Sequence, residues 1–587
     1  TAKPYGMSHM YRDSKTDTTP PGRRPRSGRN LLMTAACAGL LTALAAGAGA
    51  QESESGGAEE PFFESVQTSL VNVDVYVTDR RGHPITDLGP ADFELYEDDE
   101  PVEITNFFAV KNGRPVMERL ETLPQGETRF IPQELEELPV DQRLHLIVYI
   151  DNFNLFPASR NRTLARLRNF LSGSMNRDDR VMVVSYDRSL HLRQPFTSDM
   201  GAVADALIEL ESLSGIASLR EQERQQALEQ ISDANSDFQA LSAARVYAES
   251  VMAEMTVGLR GMSRQLELLS GLNGRKALVY VSDGIPQKVG EDLFYYIDER
   301  FPRSRARIES SNYDLSHRYE NLITQANSAD VTLYSLDARG LQVNSSVRAD
   351  FAGTREGGGL QFVDTYNNAN LREPMHKLAD DTGGQAVMGT NNIEGGLGEF
   401  LKDFRNYYSL GFQPAHFGSG RYYDLDVKVK REGAKVRYRQ GYRDKTINAR
   451  MADSTLSSLI YGAIGNPLGI DIGFGASRKD GNSSLVPVEV KIPLGKLTLV
   501  PQSGQYLGRV KVAVAVMDDE GSLSPVEQQP THTIQIPEAE IDIAKTKSFV
   551  YEVVLAMRPG LSRVAVTVRD ELTSQTSFLR ETVKIGD

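Results

Sequence analysis

The chain has a single cysteine among 587 residues, Cys37, and no tryptophan. Cys37 lies within the first fifty residues, in a stretch that reads as a targeting segment, so the mature chain is expected to have neither disulfides nor thiol chemistry. Histidine is also scarce. The eight present are dispersed, and none stands at His-Glu-x-x-His or another metal-ligand spacing. No Gly-x-Ser-x-Gly elbow follows a strand. Gly357-Gly358-Gly359 lacks the Lys-Ser/Thr of a phosphate loop and reads as a mobile surface loop. Asp380-Asp381 reads as a solvated helix end rather than an acid–base pair. Without a catalytic constellation, the chain reads as a non-enzyme. Positive charge is short as well: the net charge is -14, and residues 1–50 hold seven Lys/Arg against two Asp/Glu, leaving the remainder near -19. No basic stripe with interleaved aromatics occurs, which argues against nucleic acid or anionic lipid as the main partner.

At the N-terminus, Arg23, Arg24, Arg26 and Arg29 precede an apolar stretch, Leu31 to Ala45, that ends in Ala46-Gly47-Ala48-Gly49-Ala50. This is the pattern of a secretory signal peptide over residues 1–50, cleaved after Ala50. Arg23-Arg24 lacks the consensus of twin-arginine export, and Thr34-Ala35-Ala36-Cys37 lacks the leucine of a lipoprotein box. The apolar stretch is too short to span a bilayer well, so an exported protein, periplasmic or extracellular, with no transmembrane segment in the mature chain is expected.

After a Ser/Gly/Glu linker (51–61), Val71, Val73, Val75 and Val77 alternate with polar residues and open an N-terminal β unit over 62–118. Residues 119–141, rich in Glu, Pro and Gln, read as a connector. Strands then alternate with helices, and continuous apolar runs such as Ala277-Leu278-Val279-Tyr280-Val281 suit strands buried on both faces. The expected fold is α/β, a doubly wound mostly parallel sheet over 142–443. Ser218–Leu272 interrupts it as a long charged helical insertion, read as a solvated hairpin with a partner surface as the alternative. Tyr407–Tyr442 returns to β character and closes the domain, a candidate pairing partner for the N-terminal unit. A linker (444–466) leads to short strands over 467–587, expected to form an all-β immunoglobulin-like sandwich.

Asp151-Asn152-Phe153-Asn154-Leu155 sits where an apolar strand (Leu144, Ile147, Val148, Tyr149, Ile150) gives way through Pro157 to a helix. In parallel sheets that is where ligands gather. Domains of von Willebrand factor type A kind hold a divalent metal at this place with Asp-x-Ser-x-Ser. Here Phe153 and Leu155 stand where the hydroxyls belong, and Ser212 to Ser218 offers serines but no matching second-loop threonine. Asp151 and, on the third loop, Asp283 remain as metal ligands, two of the positions that a Mg²⁺ site of hard oxygens needs.

The stretch Val71 to Asp79, followed by Gly82, Pro84, Ile85, Asp87-Leu88, Asp92-Phe93 and Tyr96-Glu97-Asp98, resembles the VWFA-related domain family of acidobacterial exported proteins. Phe196-Thr197-Ser198-Asp199, Ser282-Asp283-Gly284, Tyr407 to Phe412 and Gly441-Tyr442 extend the resemblance over about residues 66–443. It implies a type A-like fold and export, and leaves the activity undefined. The sequence thus points to a non-catalytic exported module that binds a protein or cell-surface ligand at Asp151, Asn152, Asn154, Asp283 and Gly284, without a cofactor. A metal-dependent adhesin using Mg, Mn or Ca, and an extracytoplasmic hydrolase, are the alternatives.

Overall fold

Three residues after the stretch 119–141, at Leu144, the chain enters a strand with no exposed side chain, and this strand organises the largest part of the molecule. The computed structural model describes residues 70–122, 128–134, 138–139, 142–341, 357–462 and 465–586. The expected signal peptide (1–50), with Cys37, and the linker 51–61 lie outside the described residues.

The N-terminal unit comprises β1 (Val71–Thr78), β2 (Phe93–Glu97), β3 (Glu100–Val102), β4 (Ile104–Lys111), β5 (Arg114–Thr122) and β6 (Thr128–Glu134). The stretch expected to be a connector is therefore corrected in part. β5 and β6 pair antiparallel from Val116↔Glu134 to Thr122↔Thr128, because a hairpin extending β4 gives this polar run backbone partners.

The α/β part runs β7 (Leu144–Ile150), α1 (Pro157–Ser174), β8 (Arg180–Tyr186), β9 (Leu190–Thr197), α2 (Met200–Glu211), α3 (Ala217–Asp233), α4 (Asp237–Leu269) and β10 (Arg275–Ser282). It continues through α5 (Glu291–Arg300), α6 (Ala306–Ser310), α7 (Ser316–Ser328), β11 (Val331–Asp337), α8 (Gly357–Asp380), β12 (Ala386–Val387) and α9 (Ile393–Arg405). Gly357-Gly358-Gly359, expected in a loop, instead opens α8. The strand order is β9-β8-β7-β10-β11-β12. All pairings are parallel except that of β9, which turns back along β8 at the edge. The first three strands are thus laid down outward from β7 and the next three outward on its other side, so the order reverses between β7 and β10.

Alternate residues of β7 feed two cores. Leu146, Val148 and Ile150 join α1, α2 and α9, while Ile147 and Tyr149 join α4, α7 and α8. The helical insertion belongs to the second layer. Ala240, Ala244, Ala248, Val251, Met255, Met262, Leu266 and Leu269 bury one face of α4 against the sheet, so the reading of a solvated hairpin does not hold. Its small and flexible apolar residues let a 33-residue helix lie flat over Met182 and Tyr280.

Strands β13 (Tyr407–Phe412), β14 (Tyr422–Val429), β15 (Lys435–Tyr438) and β16 (Gly441–Arg443) return to the N-terminal unit. β13 lies between β1 and β4 and pairs with both, and β14 pairs with β2. Residues expected as a linker form α10 (Ile447–Tyr461), which joins α4 to the C-terminal strands: the Ser457 hydroxyl donates to the Leu268 carbonyl (2.5 Å), and Thr455 shares a hydrogen bond with Thr567 (2.8 Å). Beyond it stand two antiparallel sheets, one built on Ser483–Pro493 and Ser548–Met557, the other on Gln505–Met517, Gly560–Asp570 and Thr576–Ile585. They share one apolar core that includes Val488, Val490, Val512, Val514, Val566 and Val568.

Candidate functional site

The crevice outside the carboxyl ends of β7 and β10 is where the strand order reverses, the position at which open α/β sheets bind ligands. Asp151 follows β7 and Asp283 follows β10, so the register that aligns Ile150 with Val281 brings the two loops side by side. The Asp151 amide donates to the Val281 carbonyl (3.0 Å).

Asp151 is buried and both of its carboxylate oxygens accept hydrogen bonds. Oδ2 accepts from the Tyr280 hydroxyl, from Ser282 Oγ (3.0 Å) and from Asn154 Nδ2 (2.5 Å), while Oδ1 accepts from the Asn154 amide (3.2 Å). Burial raises its pKa, and these donors oppose the rise. Phe153 and Leu155, at the two hydroxyl positions of the metal motif, are buried in opposite cores. Asn152 is spent on structure: its Oδ1 accepts from Arg160 Nη1 (2.5 Å) and its Nδ2 donates to the Ser214 carbonyl (3.2 Å). Arg160 is itself buried, and its Nη2 donates to the Glu211 (3.0 Å) and Leu213 (2.8 Å) carbonyls. One internal guanidinium therefore ties the loop after β7 to the loop after α2.

Asp283 is buried too. Its Oδ2 accepts from the Phe156 amide (2.8 Å) and from Ser159 Oγ (2.5 Å), capping the start of α1, and burial pushes its pKa up to about 6. Its Oδ1 has no hydrogen-bond partner. Gly284 adopts a left-handed conformation (φ 114°), and a Cβ there would stand 2.8 Å from the Leu371 Cβ, so only glycine suits the turn.

These groups do not fit a divalent cation. Mg²⁺ and Ca²⁺ require several oxygen donors free to converge. Here both Asp151 oxygens accept from protein donors, and one Asp283 oxygen caps a helix.

What the loops do enclose is a cavity of about 100 Å³, lined by Asn154, Asp283 and Gly284 and roofed by Arg220, Arg224 and Tyr247 of the insertion. Phe156, Ala217 and Gly290 also line it, which places the N-terminal ends of α1, α3 and α5 at its wall, an environment favourable to acceptor groups. Arg224 is neutralised by Asp292 (Nη2–Oδ2 2.6 Å, both buried) and by Glu221 (3.2 Å). Arg220 has no such carboxylate: its guanidinium lies 4.5 Å over the Phe153 ring, its Nη1 reaches the Met255 sulfur (3.9 Å), and its Nε is buried without a partner. The sequence reading found Asp151, Asn154, Asp283 and Gly284 in one place, as the register of β7 and β10 requires. It missed Arg160 and Arg220, whose roles depend on helices packed from elsewhere in the chain.

No protein-family model matches the chain, and no curated protein matches it. Among solved structures, a von Willebrand factor type A protein from Catenulispora acidiphila is 8% identical, the match covering 90% of this chain and 76% of that chain at a TM-score of 0.22. The conserved hypothetical protein BatB from Bacteroides thetaiotaomicron is 14% identical over 45% of this chain and 98% of that one, at a TM-score of 0.20. The manganese-loaded TRAP protein of Plasmodium vivax is 10% identical over 51% and 94%, at 0.19. Overlaps this loose carry no weight for function. The strand order, its single antiparallel edge and the two loops at the reversal point define the class on their own: a type A-like α/β domain.

Proposed function

We propose that the chain is an exported, non-catalytic interaction protein that binds a protein or cell-surface ligand at the carboxyl edge of its type A-like sheet, without a metal ion. The observation that carries the reading is the cavity at the reversal point, where unspent polar groups of Asn154, Asp283 and Arg220 face one space. Open α/β sheets usually bind ligands at this reversal point. The N-terminal β unit and the C-terminal sheets, the latter as an immunoglobulin-like sandwich, serve as spacers or added contact surface. Export rests on the signal-peptide pattern, and kinship with acidobacterial exported proteins on the dispersed motifs.

The test is capture of partners from an envelope fraction by the intact chain and by a Leu219→Asp, Arg220→Glu variant, which alters the exposed start of α3 beside the cavity. Partners retained equally by both would sink the reading. Calorimetry with Mg²⁺, Mn²⁺ and Ca²⁺ addresses the metal-dependent adhesin: a binding heat abolished by Asp151→Ala would replace the metal-free reading with that one. Turnover in a broad hydrolase screen would replace both.

A further inference from the structure

In the C-terminal sheets, the strand Ser548–Met557 pairs along all of its 10 residues with Ser483–Pro493. Asp471–Phe474 and Arg478–Asp480 occupy the far side of Ser483–Pro493, and no strand among the described residues pairs with the outer side of Ser548–Met557. The register fixes where its free backbone groups point. The Leu494 amide donates to the Lys547 carbonyl (3.0 Å), so Lys547 and every second residue after it bond inward, toward Ser483–Pro493. Ser548, Val550, Glu552, Val554 and Ala556 therefore turn their N–H and C=O groups outward. Pro487, opposite Val554, fits this alternation: it has no N–H to give, and its carbonyl accepts from Gly475 (2.8 Å) on the far side. Sheets usually blunt such an edge with proline, lysine, a bulge or brevity. None of these is present, since the strand Ser-Phe-Val-Tyr-Glu-Val-Val-Leu-Ala-Met holds no proline or cation and its register is unbroken.

The side chains along the edge specify what would pair there. Val550 and Val554 are 50% and 54% exposed. Glu552, the only charge on the strand, stands between them and directly opposite Glu489. Like charges at a cross-strand pair repel, and neither carboxylate forms an ion pair among the described residues. Lys491, diagonal to Glu552, lies opposite Val550 instead. A second copy of this strand would bring no cation to Glu552, because the strand has none. We propose that this edge takes up an extended segment of a partner polypeptide as a further strand, with apolar residues opposite Val550 and Val554 and a lysine or arginine opposite Glu552. Main-chain hydrogen bonds give the affinity, and alternate side chains give the selectivity. The site does not depend on the carboxyl edge of the type A-like sheet.

The experiment uses the full chain, perdeuterated and ¹⁵N-labelled at valine, with Val550, Val553 and Val554 assigned by the loss of each signal on substitution by isoleucine. The probe is the capped peptide Thr-Val-Thr-Lys-Thr-Val-Thr, whose palindromic pattern fits either strand direction, compared with its Glu-centred counterpart. The Lys-centred peptide is expected to slow hydrogen exchange at the Val550 and Val554 amides at least about tenfold, while Val553, already bonded inward, stays as it was. It binds about threefold more tightly than the Glu-centred peptide, the scale of one cross-strand charge pair. Glu552→Lys reverses that preference. Val554→Pro removes one outward N–H, leaves the inner ladder whole, and abolishes the protection of Val550. The proposal is overturned if both outward amides stay unprotected at about 5 mM peptide, a weak affinity by any standard, if the two peptides bind alike, or if Glu552→Lys leaves their order unchanged. Protection of the same amides in the chain alone, rising with its concentration, would also overturn it and assign the edge to a second copy.

Discussion

The Tyr280 hydroxyl donates to Asp151 Oδ2 from the neighbouring strand, so the carboxylate at the end of β7 is held by the sheet's own side chain. Ser282, two residues further along β10, donates to the same oxygen. Asp151 in this chain is a structural acceptor. Asp151→Ala strands the Tyr280 and Ser282 hydroxyls and the Asn154 amide in a buried site. It is expected to cost about 2–4 kcal/mol in urea unfolding, given about 1–3 kcal/mol for each buried group left without a partner. Asp151→Asn, which keeps one acceptor oxygen, loses less.

Restoring the hydroxyls of the metal motif is expected to fail. Phe153 and Leu155 fill two separate cores, so Phe153→Ser with Leu155→Ser lowers stability by at least about 3–5 kcal/mol, the range for large-to-small core changes. Calorimetry with Mn²⁺ then shows no gain of a tight site in whatever fraction stays folded, because the Asp151 oxygens remain occupied.

Arg224 and Asp292 form a pair with 8% and 3% of their side-chain surfaces exposed, joining α3 to the first turn of α5. Arg224→Met leaves a buried carboxylate without its cation, and a loss of about 3–5 kcal/mol is expected. Adding Asp292→Leu recovers most of it. A double variant no more stable than the single one would count against the pairing.

Histidine 145 supplies an acid-sensitive element. Burial, then the cations of Lys276 and Arg180, press the imidazole down to about 4 from its ordinary 6.5. A depressed folded-state value means the contribution is present above 6.5 and is lost as pH falls toward and through 4. Relative to His145→Leu, the unaltered protein should lose about 3 kcal/mol across that window, as the size of the shift implies. Thermal unfolding of both at matched pH measures the difference.

At the opposite end of the sheet, Arg275 joins the N-terminal unit to β10. Its Nε donates to Asp74 (2.7 Å), Nη2 to the Tyr76 hydroxyl (3.1 Å), and the guanidinium lies 3.4 Å from the Tyr407 ring centroid. Arg275→Met is expected to raise hydrogen exchange in β1 and β13 at least tenfold while leaving the centre of β7 protected, a difference of about 1.4 kcal/mol or more in local opening.

Much of this architecture was written in local pattern. The apolar runs of β7 and β10 declare strands buried on both faces, and their shared end places Asp151 beside Asp283. The insertion was misread because its charged residues dominate the composition, although the stripe Ala244, Ala248, Val251, Met255, Met262 and Leu266 recurs near helical spacing and is buried. β5 and β6 were missed because polar strands stabilised by backbone pairing leave little hydrophobic signal. Arg160 and Arg220 could not be placed at all. One reaches carbonyls more than fifty positions away and the other lies on an aromatic ring over sixty positions earlier.

The position of β13 between β1 and β4 has a bearing on synthesis. The Tyr408 hydroxyl donates to the Ile85 carbonyl across 323 positions of chain, so β1 and β4, once synthesised, have to wait for nearly the whole α/β portion before their partner arrives. Until then β1 and β4 present unpaired edges, which invite association with other chains. A cell that makes this protein must therefore shield β1 and β4 until Tyr407 is made, and truncation anywhere before Tyr407 leaves them without the strand that completes their sheet.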